Sequence, residues 1–272
     1  MIAFAANSLL CRMALGAGLI DAASFATIRV VAGATVLTLI ALPRWRARGR
    51  GKTDPIAVTT LFLYMAFFSF AYLSLAAGTG ALILFGAVQL TMLSAALHGG
   101  ERFSWLCWVG LALALLGLVY LVWPGLVAPD PQGAVFMIVA GIAWGIYSLR
   151  GRLAADALGA TANSFIYSVP LVVVVSLFTL ADVQASPRGI GLAIASGAVA
   201  SGLGYVVWFT ALGGLTATRA ATVQLSVPII AAFGGALLLS EDVTARLLIA
   251  STATLGGIWI VLAQRAKAAD VR

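Results

Sequence analysis

Few side chains in this sequence place polar chemistry inside otherwise apolar stretches: Asn7, Arg29, Tyr64, Tyr72, Gln89, Trp144, Tyr147, Tyr167, Tyr205, Trp208 and Gln224. They are amides, aromatics with a hydroxyl or indole N–H, and one guanidinium. Every acid (Asp21, Asp54, Glu101, Asp130, Asp156, Asp182, Glu241, Asp242 and Asp270) falls at a joint or tail between those stretches. Such a set suits binding better than bond-breaking. Aromatic walls with a few amides fit uncharged or zwitterionic organic molecules, whereas an enzyme needs acid, base or nucleophile clustered together. The expected binding residues are therefore Asn7, Tyr72, Gln89, Trp144, Tyr147, Tyr205, Trp208 and Gln224. No residue is expected to be catalytic. Pro170 and Pro228 sit inside apolar runs, where each removes a backbone hydrogen bond, so they are the expected kink or hinge positions.

Each of these residues also has a plainer role open to it. Gln89 and Gln224 lie mid-run, where a buried amide must find partners or face a watery cavity; glue between helices satisfies the same need. A lone aromatic serves a lipid-interface belt or core packing equally well. Arg29 has no acid within the runs to pair with, which leaves a ligand carboxylate or the carbonyl end of a neighbouring helix. His98, the only histidine, falls at a helix end and reads as an interfacial residue. One histidine and the separated Cys11 and Cys107 form no ligand spacing, so neither a metal nor another cofactor is expected.

The elements that must hold these residues follow from composition. The chain of 272 residues is 62% hydrophobic and 9% charged, with mean hydropathy +1.07, where an ordinary soluble domain is about 25% charged. It belongs in a bilayer. Only helices or closed barrels satisfy the backbone there, and alternating strand patterns are absent, so the expectation is an all-α integral membrane protein. The apolar runs are 1–15, 22–42, 55–76, 79–97, 103–122, 132–149, 161–180, 188–212, 215–239 and 243–263. That makes ten helices of roughly the 20 residues a crossing needs, the first one short.

The chain also repeats itself. A shift of 140 residues lays Trp144 on Phe4, Ser148 on Ser8, Arg152 on Arg12 and Glu241 on Glu101; between these, a shift of 135 lays Val223-Gln224-Leu225 on Val88-Gln89-Leu90. The expected halves are 1–127 and 128–272, five helices each, joined by the proline-bounded stretch 124–131. An odd number of crossings threads the second half in the opposite sense, giving two inverted repeats around a central cavity. The repeat also puts Arg12 at a helix end, as Arg152 is, rather than mid-helix.

Charge sets the expected orientation. Arg44, Arg46, Arg48, Arg50, Lys52, Arg102, Arg150, Arg152, Arg265, Lys267 and Arg272 fall on one side, and Arg188 and Arg246 on the other. Both termini are expected in the cytoplasm, in a multi-pass protein of the inner membrane. The net charge of +7 then reflects contact with anionic lipid rather than nucleic acid. The expected partners are a small-molecule substrate and the bilayer, with the chain acting as a monomer.

Phe4-x-x-Asn7 with Arg12, Arg29 within FATIRVVAGA, His98-Gly-Gly-Glu101 after the fourth run, Trp144-Gly-Ile-Tyr147, ATVQLSVPIIAAFGGALLLSE and Gly256-Gly257 occur in an order that resembles the drug/metabolite transporter superfamily. Within it, the chain resembles the EamA family of paired five-helix repeats; a YddG-like amino-acid exporter is one member it suggests, though none of these residues fixes that choice. The resemblance implies a ten-helix inverted-repeat exporter of small metabolites, most simply amino acids, working by alternating access. A transporter for another metabolite or drug class remains open, as does an intramembrane enzyme acting on a lipid-linked substrate. Phe4 stands where that family usually has Trp.

Overall fold

The structure, a computed structural model, describes residues 1–100, 103–125, 128–152, 154–212 and 223–270. It is all-helical, with no named strand among the described residues. The helices are α1 (Ile2–Leu15), α2 (Ala22–Arg48), α3 (Pro55–Ala71), α4 (Ala77–His98), α5 (Trp105–Val122), α6 (Pro131–Gly151) and α7 (Ala157–Phe178). Then come α8, built from Pro187–Ile194, a π-helical stretch Ala195–Leu203 and Gly204–Leu212, α9 (Ser226–Leu239) and α10 (Ala245–Asp270). Seven are long and apolar enough to cross a membrane, while α1, α3 and α9 are shorter apolar helices. With 14 residues, α1 spans about 21 Å, short of the roughly 30 Å hydrocarbon layer.

The acids excluded from the apolar runs start the helices. Asp21, Asp54, Asp130 and Asp156 are the N-caps of α2, α3, α6 and α7, their carboxylates accepting from Ser24 N (2.9 Å), Ile56 N (3.0 Å), Gly133 N (2.6 Å) and Gly159 N (3.1 Å). Each satisfies an otherwise orphaned N–H and faces the positive end of the helix dipole. Pro55, Pro131 and Pro187 open α3, α6 and α8, where the missing N–H costs nothing. One boundary departs from expectation. The second run ends at Leu42 by hydropathy, yet α2 continues through Pro43 to Arg48, because a helix leaving the apolar layer keeps its own hydrogen bonds while its side chains turn basic. Glu101 and Arg102, and the first part of the expected ninth run, lie outside the described residues.

Packing ties the helices into one bundle. The pairs α2–α7, α4–α9 and α5–α10 touch; α1 packs on α8 and α9 as α6 packs on α3 and α4, and α2 packs on α8 as α7 packs on α3. These pairs map onto one another when α1 to α5 are exchanged with α6 to α10. Glycine makes the closest approaches possible. A Cβ on Gly110 would come 2.6 Å from the Gly257 carbonyl oxygen, and one on Gly141 would come 2.6 Å from that of Leu84, so α5–α10 and α4–α6 cross backbone to backbone, the contact lipid-immersed helices rely on. Arg150 bonds Asp54, which brings the α2–α3 and α6–α7 joints together, while Arg12 at the end of α1 bonds Glu241 of the α9–α10 joint on the other side; the face holding the first two joints is the amino-terminal face. Trp105, Trp108 and Trp123 at the two ends of α5 are exposed, as interfacial tryptophans are.

Candidate functional site

The expected aromatics converge where α1, α3, α6, α7 and α8 meet. Trp144 and Tyr147 are three residues apart on α6, and Tyr205 and Trp208 three apart on α8, so each pair shares a helix face. Phe4 of α1 fills the space between them, edge-on to Trp144 (5.8 Å between ring centroids), Tyr205 (5.9 Å) and Trp208 (5.6 Å). Trp144 also meets Tyr64 of α3 (4.8 Å), Tyr147 (5.5 Å) and Tyr205 (5.1 Å), and Tyr205 meets Phe165 of α7 (5.8 Å). All are buried. Edge-to-face pairs contribute about 0.5–1.5 kcal/mol each beyond their burial. The layer is cohesive, and none of its rings carries a charge.

Behind this layer stands Arg29. Its side chain is completely buried on α2. Nη2 donates to Tyr64 Oη (3.1 Å), Nε reaches Ser201 Oγ (3.4 Å), and the guanidinium carbon lies 4.7 Å from the Phe68 ring centre and 5.4 Å from that of Tyr64. Neither a helix-end carbonyl nor a carboxylate of a described residue bonds it, and Nη1 has no hydrogen-bond partner among the described residues.

Asn7 joins the same network. Its Oδ1 accepts from Ser196 Oγ (2.7 Å) and Ser201 Oγ (3.3 Å), both in the π-helical stretch of α8. Gly197 lets that stretch lie against α2: a Cβ there would come 2.8 Å from the carbonyl carbon of Arg29 and 2.9 Å from its Cα. A π-helical turn widens the backbone and re-aims side chains, and such turns favour functional positions. The small residues Gly197-x-x-x-Ser201 with Gly202 and Gly204 mark this stretch in the sequence as a close helix approach; the π-helical turn and the polar roles of Ser196 and Ser201 are not legible there.

Among the described residues, two cavities lie at the amino-terminal end. The larger, about 620 Å³, is an apolar groove between α1 and α8 lined by Ile2, Phe4, Val199, Leu203, Val207 and Trp208 among others; Ile2, Val199, Leu203 and Val207 are exposed, while Phe4 and Trp208 of the aromatic layer form its inner wall. The smaller, about 270 Å³, is lined by Lys52, Asp54, Tyr147, Arg150, Thr161 and Ser164. There Arg150 Nε donates to Asp54 Oδ2 (2.6 Å), and that hydrogen bond holds the Asp54 carboxyl below its ordinary range. At the other end the helices are drawn together. Arg12, in the last turn of α1 as the repeat predicts, donates Nε to Glu241 Oε1 (3.0 Å) and Nη1 to the Leu73 carbonyl (3.3 Å). Glu241 Oε2 accepts from Ala77 N (2.7 Å) at the start of α4. One carboxylate thus links α1, α4 and the α9–α10 joint. Ser186 N to the Leu19 carbonyl (2.8 Å) and Asp21 N to that of Gln184 (2.8 Å) tie the α1–α2 and α7–α8 joints beside it.

Not every expected residue joins this cluster. Asn7, Trp144, Tyr147, Tyr205 and Trp208 do. Tyr72 caps the end of α3 and donates Oη to the Ala77 carbonyl (3.3 Å), toward the Arg12 end. Gln89 and Gln224 are buried inside the bundle on α4 and just before α9. Tyr167 is 49% exposed on the outside. Pro170 lies inside α7. Pro228 falls in the first turn of α9, three residues after a turn at Leu225 breaks the helix that Val223 and Gln224 belong to; it lacks the N–H that would bond the Gln224 carbonyl.

Residues 131–263, from α6 into α10, match the model of the EamA-like transporter family. An uncharacterized protein of Pseudomonas aeruginosa is 46% identical over 265 residues, 97% of this chain and 92% of that one. The chain belongs to the EamA-like transporter family. An uncharacterized transporter of Archaeoglobus fulgidus is 23% identical over 248 residues, 89% of each chain. A protein crystal structure superposes on this EamA-like transporter with a TM-score of 0.65 at 19% identity, covering 96% of both chains, which speaks for the fold alone. The drug/metabolite transporter resemblance read from the residues thus holds, and the chain is a multi-pass membrane transporter.

Proposed function

We propose that this protein exports small organic metabolites, amino acids above all, across the inner membrane by alternating access. Residues 1–127 and 128–272 act as two inverted five-helix repeats, in a monomer with both termini in the cytoplasm. The observation that carries the reading is the aromatic layer of Phe4, Trp144, Tyr205 and Trp208, which draws α1 from one half and α6 and α8 from the other and walls a cavity of about 620 Å³. Support comes from helix pairs that persist when the halves are exchanged, and from the two ends of the bundle differing. Cavities open at the basic amino-terminal face, while Arg12 and Glu241 tie the opposite face. In this reading the conformation faces the cytoplasm, ready to load. Rocking the halves breaks the Arg12–Glu241 tie and opens the far side.

The test is counterflow in proteoliposomes. Vesicles preloaded with an unlabelled amino acid should accumulate its radiolabelled form transiently and saturably, faster than protein-free vesicles. Equal rates in both, across a broad panel of amino acids and other metabolites, would remove the proposal.

A further inference from the structure

Arg29 is the one fully buried guanidinium among the described side chains, and its surroundings are incomplete. An arginine keeps its charge at any physiological pH, and a cation in the membrane interior is costly, so it pairs with an anion, faces a watery path or serves a function. Here the protein supplies two neutral hydroxyl acceptors, Tyr64 Oη at 3.1 Å and Ser201 Oγ at 3.4 Å, and the faces of Tyr64 and Phe68. Nη1, completely buried, receives nothing from the described residues.

Structural use alone explains this poorly. An arginine that merely fastened helices would spend its donors on carbonyls, as Arg246 does on the carbonyls of Tyr120 and Trp123 and Arg12 on that of Leu73. Arg29 instead sits one ring away from the aromatic layer: Tyr64 touches its guanidinium on one side and Trp144 on the other. The large cavity reaches Phe4 and Trp208, and the rings of Trp144 and Tyr64 are what stand between Phe4 and the guanidinium.

We propose that Arg29 is the binding site for the substrate's carboxylate. An incoming carboxylate takes the free Nη1 donor as a charge-assisted hydrogen bond and receives a second from the Tyr64 hydroxyl, which turns its proton from protein to ligand. The apolar or aromatic remainder lies in the ring layer in place of Phe4. The substrate class is then organic acids and zwitterions carrying a compact apolar group; their amides and simple amines are excluded because they leave the buried charge unanswered. This assignment rests on the transport reading above and makes it specific.

The experiment compares L-phenylalanine, 3-phenylpropionate and L-phenylalaninamide on purified protein, reading tryptophan quenching and competition in counterflow. Wild type should bind both carboxylates and bind the amide at least tenfold more weakly. Arg29→Lys, which keeps the charge but not the fork, should weaken both carboxylates at least tenfold and leave the amide unchanged, and Tyr64→Phe should do so to a smaller degree while keeping the ring. If Arg29→Lys is too unstable to purify, Tyr64→Phe and the wild-type discrimination between acid and amide carry the test. A purely structural Arg29 would lower the melting temperature of its variants without altering that discrimination. Acid and amide bound equally, or Arg29→Lys binding both carboxylates like wild type, overturns the carboxylate site. Saturable counterflow of amines or uncharged solutes only would overturn it while leaving transport intact, and no counterflow of anything would overturn both.

Discussion

Two glycines on α8 make a matched pair of perturbations. Gly191 is exposed, with nothing within 4 Å of where a Cβ would stand, whereas Gly197 is buried, and its Cβ would lie 2.8 Å from the carbonyl carbon of Arg29, nearer still to the oxygen. Alanine gains up to about 1 kcal/mol over glycine in a helix, a gain Gly191→Ala should realise nearly in full. Gly197→Ala receives at most the same gain. Carbon atoms rest at about 3.5–4.0 Å, so the backbones of α2 and α8 must separate by more than about half an ångström, and neither is a flexible side-chain end that can swing aside. Overpacking of this kind costs typically 1–3 kcal/mol, and here it also pulls Ser201 away from Arg29 Nε. Gly197→Ala should therefore be net destabilising by about 1–2 kcal/mol. Thermal unfolding of the purified variants, followed by tryptophan fluorescence in one detergent, reads the difference directly. The midpoint should rise or hold for Gly191→Ala and fall for Gly197→Ala; equal shifts of one sign would refute the close approach of α2 and α8 at Arg29.

Other substitutions probe the ties around the site. Arg12→Ala and Glu241→Ala should couple in a double-mutant cycle on unfolding free energy by about 1–2 kcal/mol, the range for a partly buried charge-assisted bond; additive effects would mean that the tie adds nothing. Asn7→Ala leaves Ser196 and Ser201 without their shared acceptor and should cost about 1–3 kcal/mol, while Asn7→Asp keeps an acceptor and should recover part of that in the same melting assay. The Asp54 carboxyl is held low by Arg150. A carboxyl whose folded value lies below its unfolded one stabilises above the ordinary value of 3.8, and that help is lost as pH falls through the depressed value. Acid melting of wild type should therefore show a small, salt-screened loss in that window, and Asp54→Asn should flatten it.

The sequence by itself determined the membrane class, the ten helical segments and the family. Hydropathy over some twenty residues is a local property that neighbours do not change. Acids at the joints could also have been read as N-caps, since an aspartate before an apolar run has one orphaned amide to satisfy. The repeat correctly put Arg12 at a helix end, where the structure finds it bonded to Glu241. What the tertiary structure alone decided is which face of each helix looks inward. In a soluble protein polar residues mark the outer face, but helices in lipid are apolar all round, so Tyr167 on the exterior and Tyr205 in the centre look alike in sequence. For the same reason Tyr72 and Trp144 carried equal weight as candidates, though Trp144 lies within the ring layer and Tyr72 meets it only through Phe68. Phe4, read as a departure from a family pattern, became the centre of the cluster. Arg29 depended most on the third dimension. Its partners Tyr64 and Ser201 lie 35 and 172 residues away, and the close packing of α2, α3 and α8 leaves one of its donors without a hydrogen-bond partner among the described residues.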